Sequence, residues 1–339
     1  MVIEYPNYYP EFHCIAGDCP ETCCAGWEVD LDEDALTYYQ EIAPAPFGDV
    51  IRSHIAETPD GDAVFPLTEK GRCPFLNEQN LCDIILHLGE NRLCRTCAEH
   101  PRFVVEVADY RQYDLSLSCP EASRLFFRDD FRFSVIRQEK ENPAYLTESY
   151  LDDIDFTTCL EVRDKALAIL GKTDLPLPKR IAQVEEYVLI GKRLPKESNE
   201  ALLKLLKDED PWDPRWAAEM KQMKELLPHI NENLKALFLW RNQEILERNF
   251  EKISMYLAFR YFPDSYYDDS PVCGLKMMRR SMRLLYLMAF SHWWAGEQKA
   301  GQTGPVAEYH LTNQDFMEFC HAYSKEVEHD DKNIAAFKN

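Results

Sequence analysis

The chain has 339 residues, 45% hydrophobic and 29% charged, which allows two packed domains and argues against disorder. Acidic residues outnumber basic ones by 59 to 38, and the formal net charge is −21. That balance argues against nonspecific binding to nucleic acid or anionic membranes; it suits a lysine-bearing partner, or simply a solvated surface.

Residues 1–30 are aromatic, proline-rich and cysteine-rich, with little helical period. Met1–Pro10 carries no basic region and no apolar run, so no secretory signal is expected. Asp30 or Asp32 can cap a helix over Glu33–Ile42, with Leu36, Tyr39 and Ile42 on its apolar side, stopped by Pro44 and Pro46. A short helix over Asp49–Ala56 and a turn at Thr58–Asp62 follow. Between Cys73 and Cys82, the polar run Asn77-Glu-Gln-Asn80 reads as a tight turn that folds the two cysteines toward one another. Residues 81–98 read as two helical pieces broken at Gly89; Cys94 and Cys97 sit three apart on the second, which Pro101 ends. Phe103–Val107 and Tyr113–Ser118 read as hairpin strands joined by Ala108–Gln112, and Pro120 opens a helix through Phe127.

From about residue 140 cysteines thin out and helical periodicity takes over. Helices fit Asp155–Leu170, Arg180–Ile190, Asn199–Lys207, Pro214–Leu226, Asn231–Phe250, Glu251–Tyr261, Leu275–Trp294 and Thr312–Glu328, while 263–274 reads as an acidic, aromatic loop. The expected fold is mainly α. A small mixed, Cys-rich metal-binding domain over residues 1–140 packs on an α-helical domain over 141–339. No stretch approaches the roughly 18 apolar residues that span a bilayer. A cytoplasmic location is therefore expected, where thiols stay reduced.

Nine of the twelve cysteines lie between Cys14 and Cys119. Disulfides, a bound metal and a metal cluster are the three explanations, and a reducing compartment weakens the first. Thiolates in fours suit tetrahedral zinc and iron–sulfur clusters alike. The first four cysteines have the spacing C-x4-C-x3-C-C, framed by Gly17, Pro20 and Gly26. Adjacent cysteines point apart in an extended chain, so Cys23 and Cys24 need not serve one atom. Only Cys94-x2-Cys97 has zinc-knuckle spacing, and the radical-enzyme pattern C-x3-C-x2-C is absent. Cys159, Cys273 and Cys320 are isolated and read as buried small hydrophobes. His13 and His100 are lesser ligand candidates beside the cysteines.

The pieces Phe12-His-Cys14, Asp18-Cys19, Thr22-Cys23-Cys24-Ala-Gly-Trp27, Cys73-Pro-Phe-Leu76, Leu81-Cys82-Asp-Ile84, Leu88-Gly-Glu90, Thr96-Cys97, Pro101-Arg102 and Leu115-Ser-Leu-Ser-Cys119-Pro-Glu-Ala122 occur in this order. Over residues 8–127 they resemble the flagellin lysine-N-methylases, within the wider group that carries a Cys-rich zinc- or iron-chelating domain. Cys94 and His100 depart from the pattern. The resemblance implies methyl transfer from S-adenosylmethionine to lysines of flagellin, or of another lysine-presenting protein. It also implies an iron–sulfur cluster, of the 4Fe–4S kind, with zinc as the alternative. Its candidate ligands are Cys14, Cys19, Cys23, Cys24, Cys73, Cys82, Cys97 and Cys119. One cluster with spare thiols and two metal sites both stay open.

No G-x-G-x-x-G fingerprint is present, so the cofactor site is of another kind. Arg102 and Glu121 lie close in sequence to Cys97 and Cys119 and are candidates to hold the carboxylate and amine of S-adenosylmethionine; a salt bridge within the domain is the plainer role. Tyr5, Tyr8, Tyr9, Tyr261, Tyr266, Tyr267, Asp268 and Asp269 supply aromatic and acidic material for an amine site, and no catalytic base is assigned among them. A zinc-stabilised binding module without catalysis, and a redox or iron-handling protein, are the other readings.

Overall fold

The structure, a computed structural model, describes residues 1–143, 146–206, 211, 215–268, 270–303 and 308–339. The protein is mainly α. Its contacts divide it into two compact units. One comprises Phe12–Phe103 with Cys119–Glu121, and the other Met1–Glu11, Val104–Ser118 and Ala122–Asn339. The division therefore does not fall near residue 140, because the N-terminal strand pairs with later segments.

In the second unit, Val2–Pro6 lies parallel to Tyr110–Leu115 and antiparallel to Val135–Glu139. With Arg102–Val107 these make a four-stranded sheet, with Arg102–Val107 and Val135–Glu139 at its edges. Alternate residues of Val2–Pro6 are buried, the period of a strand with one covered face. The hairpin is tighter than expected. Its second strand begins at Tyr110, and the turn is Ala108-Asp109 with Ala108 in the left-handed region, φ 48°.

Two 33-residue helices, Glu232–Asp264 and Pro271–Thr303, dominate the rest. The first joins the two expected runs Asn231–Phe250 and Glu251–Tyr261 into one. It also carries Pro263, so most of the expected loop at 263–274 is helical. Proline has no N–H to give the carbonyl four residues back. Here that carbonyl, Phe259 O, instead accepts from Gln112 Nε2 at 2.9 Å. At Gly274 a Cβ would stand 2.6 Å from Tyr261 O, so glycine lets the two long helices close on each other. Shorter helices follow the sequence expectation within a few residues: Ile154–Leu170, Leu177–Val188, Asn199–Leu205, Trp216–Leu226 and Asn313–Tyr323. The expected ends at Lys207 and Pro214 lie outside the described residues. Thr312 and Asp315 form a reciprocal capping box at the start of Asn313–Tyr323. A further helix, Asp331–Lys338, was not expected from the sequence.

The Cys-rich unit is built from short pieces. Ala63–Phe65 is the middle strand of a small antiparallel sheet with Val29–Asp30 and Ala56–Glu57. Asp32 caps Glu33–Thr37 by accepting from Ala35 N at 3.0 Å. Its other carboxylate oxygen accepts from Arg95 N at 2.6 Å, at the start of Arg95–Glu99. One side chain thus anchors two helices. Val29, Tyr39, Phe65, Phe75 and Ile84 form the unit's apolar core.

Candidate metal and cofactor site

The thiols are positioned by turns rather than by long elements. Asn77 closes the turn between Cys73 and Cys82: its side-chain oxygen accepts from Gln79 N and Leu81 N, each at 3.0 Å. Leu76 then bridges to Cys82, so the expected fold-back occurs. The 14–24 segment approaches this turn closely at Gly17, where a Cβ would stand 3.0 Å from Gln79 O. Gly26, at φ 93°, makes the bend after Cys24; its N–H donates to Gly71 O at 3.0 Å, and Cys73 N donates to Cys24 O at 2.8 Å. Cys94 caps Arg95–Glu99, and its sulfur hydrogen-bonds to that of Cys97.

All eight expected ligands lie in the Cys-rich unit, but in two environments. Cys73 and Cys94 are buried in the apolar core, and Cys24, Cys82 and Cys97 pack against it. Cys14 and Cys23 are exposed, while Cys19 and Cys119 are half-buried. Cys14 and Cys119 are electrostatic neighbours of Cys23, and Cys14 and Glu121 are neighbours of Cys19. Cys73 in turn has Cys24, Cys82 and Cys94 as its thiol neighbours. Cys94, which sequence reasoning set aside, therefore stands among the core thiols.

The thiols polarise one another. Cys23 hydrogen-bonds to Cys24, and that bond is the largest cause of both shifts: it lowers the Cys24 thiol to about 7 and raises that of Cys23. The Cys94–Cys97 pair behaves alike, with Cys94 lowered and Cys97 raised by their mutual bond. Burial pushes Cys73 up to about 12 and raises Cys82 and Cys19. Among the described residues, no three Cys, His, Asp or Glu side chains already converge as metal ligands. The donor chemistry still fits a thiophilic centre, for soft thiolates select zinc and iron–sulfur clusters.

Glu121 is buried, 8% exposed, close enough to Cys19 to raise its thiol, whereas Arg102 places its guanidinium 5.5 Å from the centre of the Phe12 ring. His100 packs edge-on to Trp27 at 5.7 Å, and Trp27 Nε1 donates to Cys23 O at 2.9 Å. His13 is exposed.

The other unit contains a buried polar network that the sequence reading did not single out. Glu328 accepts from Tyr256 at 3.0 Å, Tyr261 at 2.9 Å and Ser324 at 2.6 Å, with Arg260 Nε 3.8 Å away. Asp114 accepts from Tyr8 at 3.0 Å, and burial pushes its carboxyl up to about 7. Ser116 Oγ joins Ser324 Oγ at 2.9 Å and His329 Nε2 at 2.8 Å. Strand alternation within Tyr110–Leu115 puts Asp114 on one face with Gln112, a signal available in the sequence; nothing local marks Glu328. Tyr8 and Tyr261 thus serve this network. Tyr266 donates to Asp153 at 2.7 Å, Tyr267 to Glu106 O at 3.1 Å, and Asp268 pairs with Lys338 at 2.6 Å. The rings of Tyr5 and Tyr9 pack at a tilt, centroids 5.5 Å apart. Asp269 lies outside the described residues.

No family model and no solved structure matches the chain. Over 134 residues it is 27% identical to proteins named lysine-N-methylase from Salmonella typhimurium and Salmonella choleraesuis. The same identity over the same length holds for the flagellar biosynthetic protein FliU of Salmonella muenchen. Over that stretch the chain is similar to the lysine-N-methylases. The match covers 38% of this chain, a third of the length of the two methylases (33%) and 79% of the FliU protein. Among the described residues, no helix is long and apolar enough to cross a membrane.

Proposed function

We propose that the protein is an S-adenosylmethionine-dependent protein-lysine N-methyltransferase acting on flagellin lysines, with an iron–sulfur cluster held by thiols of the Cys-rich unit. The observation that carries this reading is the 134-residue match to lysine-N-methylases, together with nine cysteines gathered in one unit. Cytoplasmic action on newly made flagellin fits the name of the FliU relative.

The net reaction breaks the methyl carbon–sulfur bond of the sulfonium and forms a carbon–nitrogen bond to the lysine amine. S-adenosylhomocysteine leaves and one proton is released. A free lysine amine has a pKa near ~10.4, so exposing its lone pair at neutral pH costs about 4–5 kcal/mol at about 1.4 per unit. Burial of the amine lowers that cost. The net charge of −21 favours capture of a lysine-bearing surface. In this reading Cys14, Cys19, Cys23, Cys24, Cys73, Cys82, Cys97 and Cys119 are the pool of cluster ligands. A bound cluster would supply a Lewis-acidic, redox-active centre. Arg102 and Glu121 hold the amino-acid end of S-adenosylmethionine through its carboxylate and amine; the position of Glu121 beside Cys19 supports its part.

The test is transfer of labelled methyl from S-adenosylmethionine to purified flagellin by anaerobically prepared protein. Methyl-lysine in flagellin is expected, and a brown protein with broad visible absorption. Absence of transfer by protein with an intact cluster overturns the enzymatic reading. A colourless protein with stoichiometric zinc points instead to a zinc-stabilised binding module.

A further inference from the structure

The long helix Glu232–Asp264 has two unlike faces in its first half. Phe238, Asn242, Leu246 and Asn249 are buried, at the spacing of one helix face. Phe238 stacks on Phe290 with ring centroids 4.5 Å apart and packs on Trp293. The opposite stripe is exposed: Ala236, Leu239, Trp240, Gln243, Glu244 and Glu247. Single exposed apolar residues are ordinary on a protein surface. Here two adjacent ones stand at the middle of the stripe, Trp240 at 74% exposure and Leu239 at 46%. Glu244 and Glu247 follow Trp240 by four and seven residues, so carboxylates extend the same face over the next two turns.

The basic residues nearby are turned to other acids. Arg241 pairs with Glu297 and Glu308, Arg248 with Asp129, and Lys235 with Glu232. Glu247 takes a hydrogen bond from Gln243 Nε2 at 3.1 Å, which leaves its charge in place. The stripe therefore offers an indole face and unneutralised carboxylates together. An indole face attracts an ammonium group, and a tryptophan that becomes buried is a frequent anchor of protein interfaces. A second copy of the chain fits poorly, since each copy carries a net charge of −21.

We propose that this stripe is a docking surface for the substrate protein. A lysine-bearing segment lays an apolar side chain on Leu239 and Trp240, one ammonium over the indole, and further lysines against Glu244 and Glu247. This rests on the lysine methylation proposed above and adds a recognition surface on a helix that is not part of the Cys-rich unit.

The experiment uses the full chain and purified flagellin. Wild type, Trp240→Ala and the double variant Glu244→Gln/Glu247→Gln are compared with Ile154→Ala, a control at 78% exposure on another helix of the same unit. Flagellin affinity is measured by biolayer interferometry at low and high salt, and methyl transfer at varied flagellin concentration. Trp240→Ala should weaken binding and raise KM by at least about tenfold, the scale of an interface anchor, with kcat unchanged. The double variant should weaken binding about threefold at low salt and less at high salt. Ile154→Ala should behave as wild type. Trp240→Ala with wild-type affinity and KM, or with a loss confined to kcat, overturns the inference and leaves the methylase reading standing. An equal loss in Ile154→Ala also overturns it. A wild-type dimer in sedimentation that Trp240→Ala abolishes assigns the stripe to a second copy and overturns it as well. Flagellin neither bound nor methylated by wild type overturns the proposed function and this inference with it.

Discussion

The two units reach stability by different routes. In the Cys-rich unit, the longest regular helix among the described residues is Phe47–Ser53, seven residues, and its strands have two or three. Such short pieces bury little and nucleate poorly alone. In the other unit two 33-residue helices bury Phe238, Phe250, Tyr256, Met288 and Trp293 and surround a network centred on Glu328. A small unit that cannot build a large core is usually stapled, by disulfides or by metal. Loss of a staple would therefore be felt in the Cys-rich unit, with its thiols, and not in the helical one.

Stripping metal should separate the two units most clearly. Treatment of reconstituted protein with a strong chelator under reducing conditions should open the Cys-rich unit to trypsin at Lys70, Arg72, Arg92 and Arg95. The far-ultraviolet helical signal should persist, because the long helices carry it. Loss of the helical signal together with protease resistance would show instead that the units share one stability.

Within the helical unit, the largest single effect should come from Glu328→Ala. It leaves Arg260 buried beside the hydroxyls of Tyr256 and Tyr261 without their shared carboxylate. Removing one member of a buried charged pair costs roughly 3–5 kcal/mol. Glu328→Gln keeps an acceptor for the tyrosines and should cost less. Urea unfolding followed by the helical signal measures both. A Glu328→Ala loss below about 1 kcal/mol, the range of an exposed pair, would show that the network is incidental.

Much of the helical unit was legible because its signal is local. Asp153 and Gly171 bound Ile154–Leu170, and the capping box at Thr312 marks its helix from four residues. What was not legible depends on partners far away. Val2–Pro6 is aromatic and proline-bearing, and becomes a strand by pairing with residues 110–112 and 135–139. Pro263 reads as a breaker, yet Gln112, remote in sequence, supplies the missing donor to Phe259 O. In the Cys-rich unit the turn at Asn77 and the grouping of cysteines were visible, because Asn, Gly and Pro carry turn chemistry in themselves. Which thiols stand together was not, since Cys23 and Cys24 differ only in what the rest of the fold brings to each. Cys94 was set aside for departing from a family pattern, and its burial at 1% exposure came only with the fold.

Asp114 probes the same network by pH. Its surroundings hold Tyr8, Glu328 and Arg260, and burial is the largest cause of its rise to about 7. An unfolded aspartate titrates near ~3.9, so between about pH 4 and 7 the folded chain holds a proton that the unfolded chain has lost. The resulting stability is full below that window and falls as pH rises through 7. Asp114→Asn cannot ionise and still accepts from Leu115 N and Tyr8. Its urea midpoint relative to wild type should therefore climb from pH 4 to 7 and then level off, by a few kcal/mol at most at about 1.36 per unit. A flat difference across that range would mean that Asp114 ionises normally.

The smallest effect is expected where a cysteine lies outside the Cys-rich unit. Cys159 is on Ile154–Leu170, 3% exposed, with its sulfur 3.8 Å from Ser265 Oγ. Burial raises its thiol, which keeps it protonated and unsuited to metal. It acts there as a small hydrophobe, and Cys159→Ala removes one buried atom near a helix whose other contacts remain. The cost should be about 1 kcal/mol, on the scale of one buried methylene. Metal content and visible absorption should not change, whereas Cys82→Ala should lower both while leaving the helical unit's urea transition in place. The same substitution thus reads opposite quantities in the two units: stability without metal in one, metal without helical stability in the other. A Cys159→Ala protein that lost metal would show that the cysteine grouping by unit does not decide ligation.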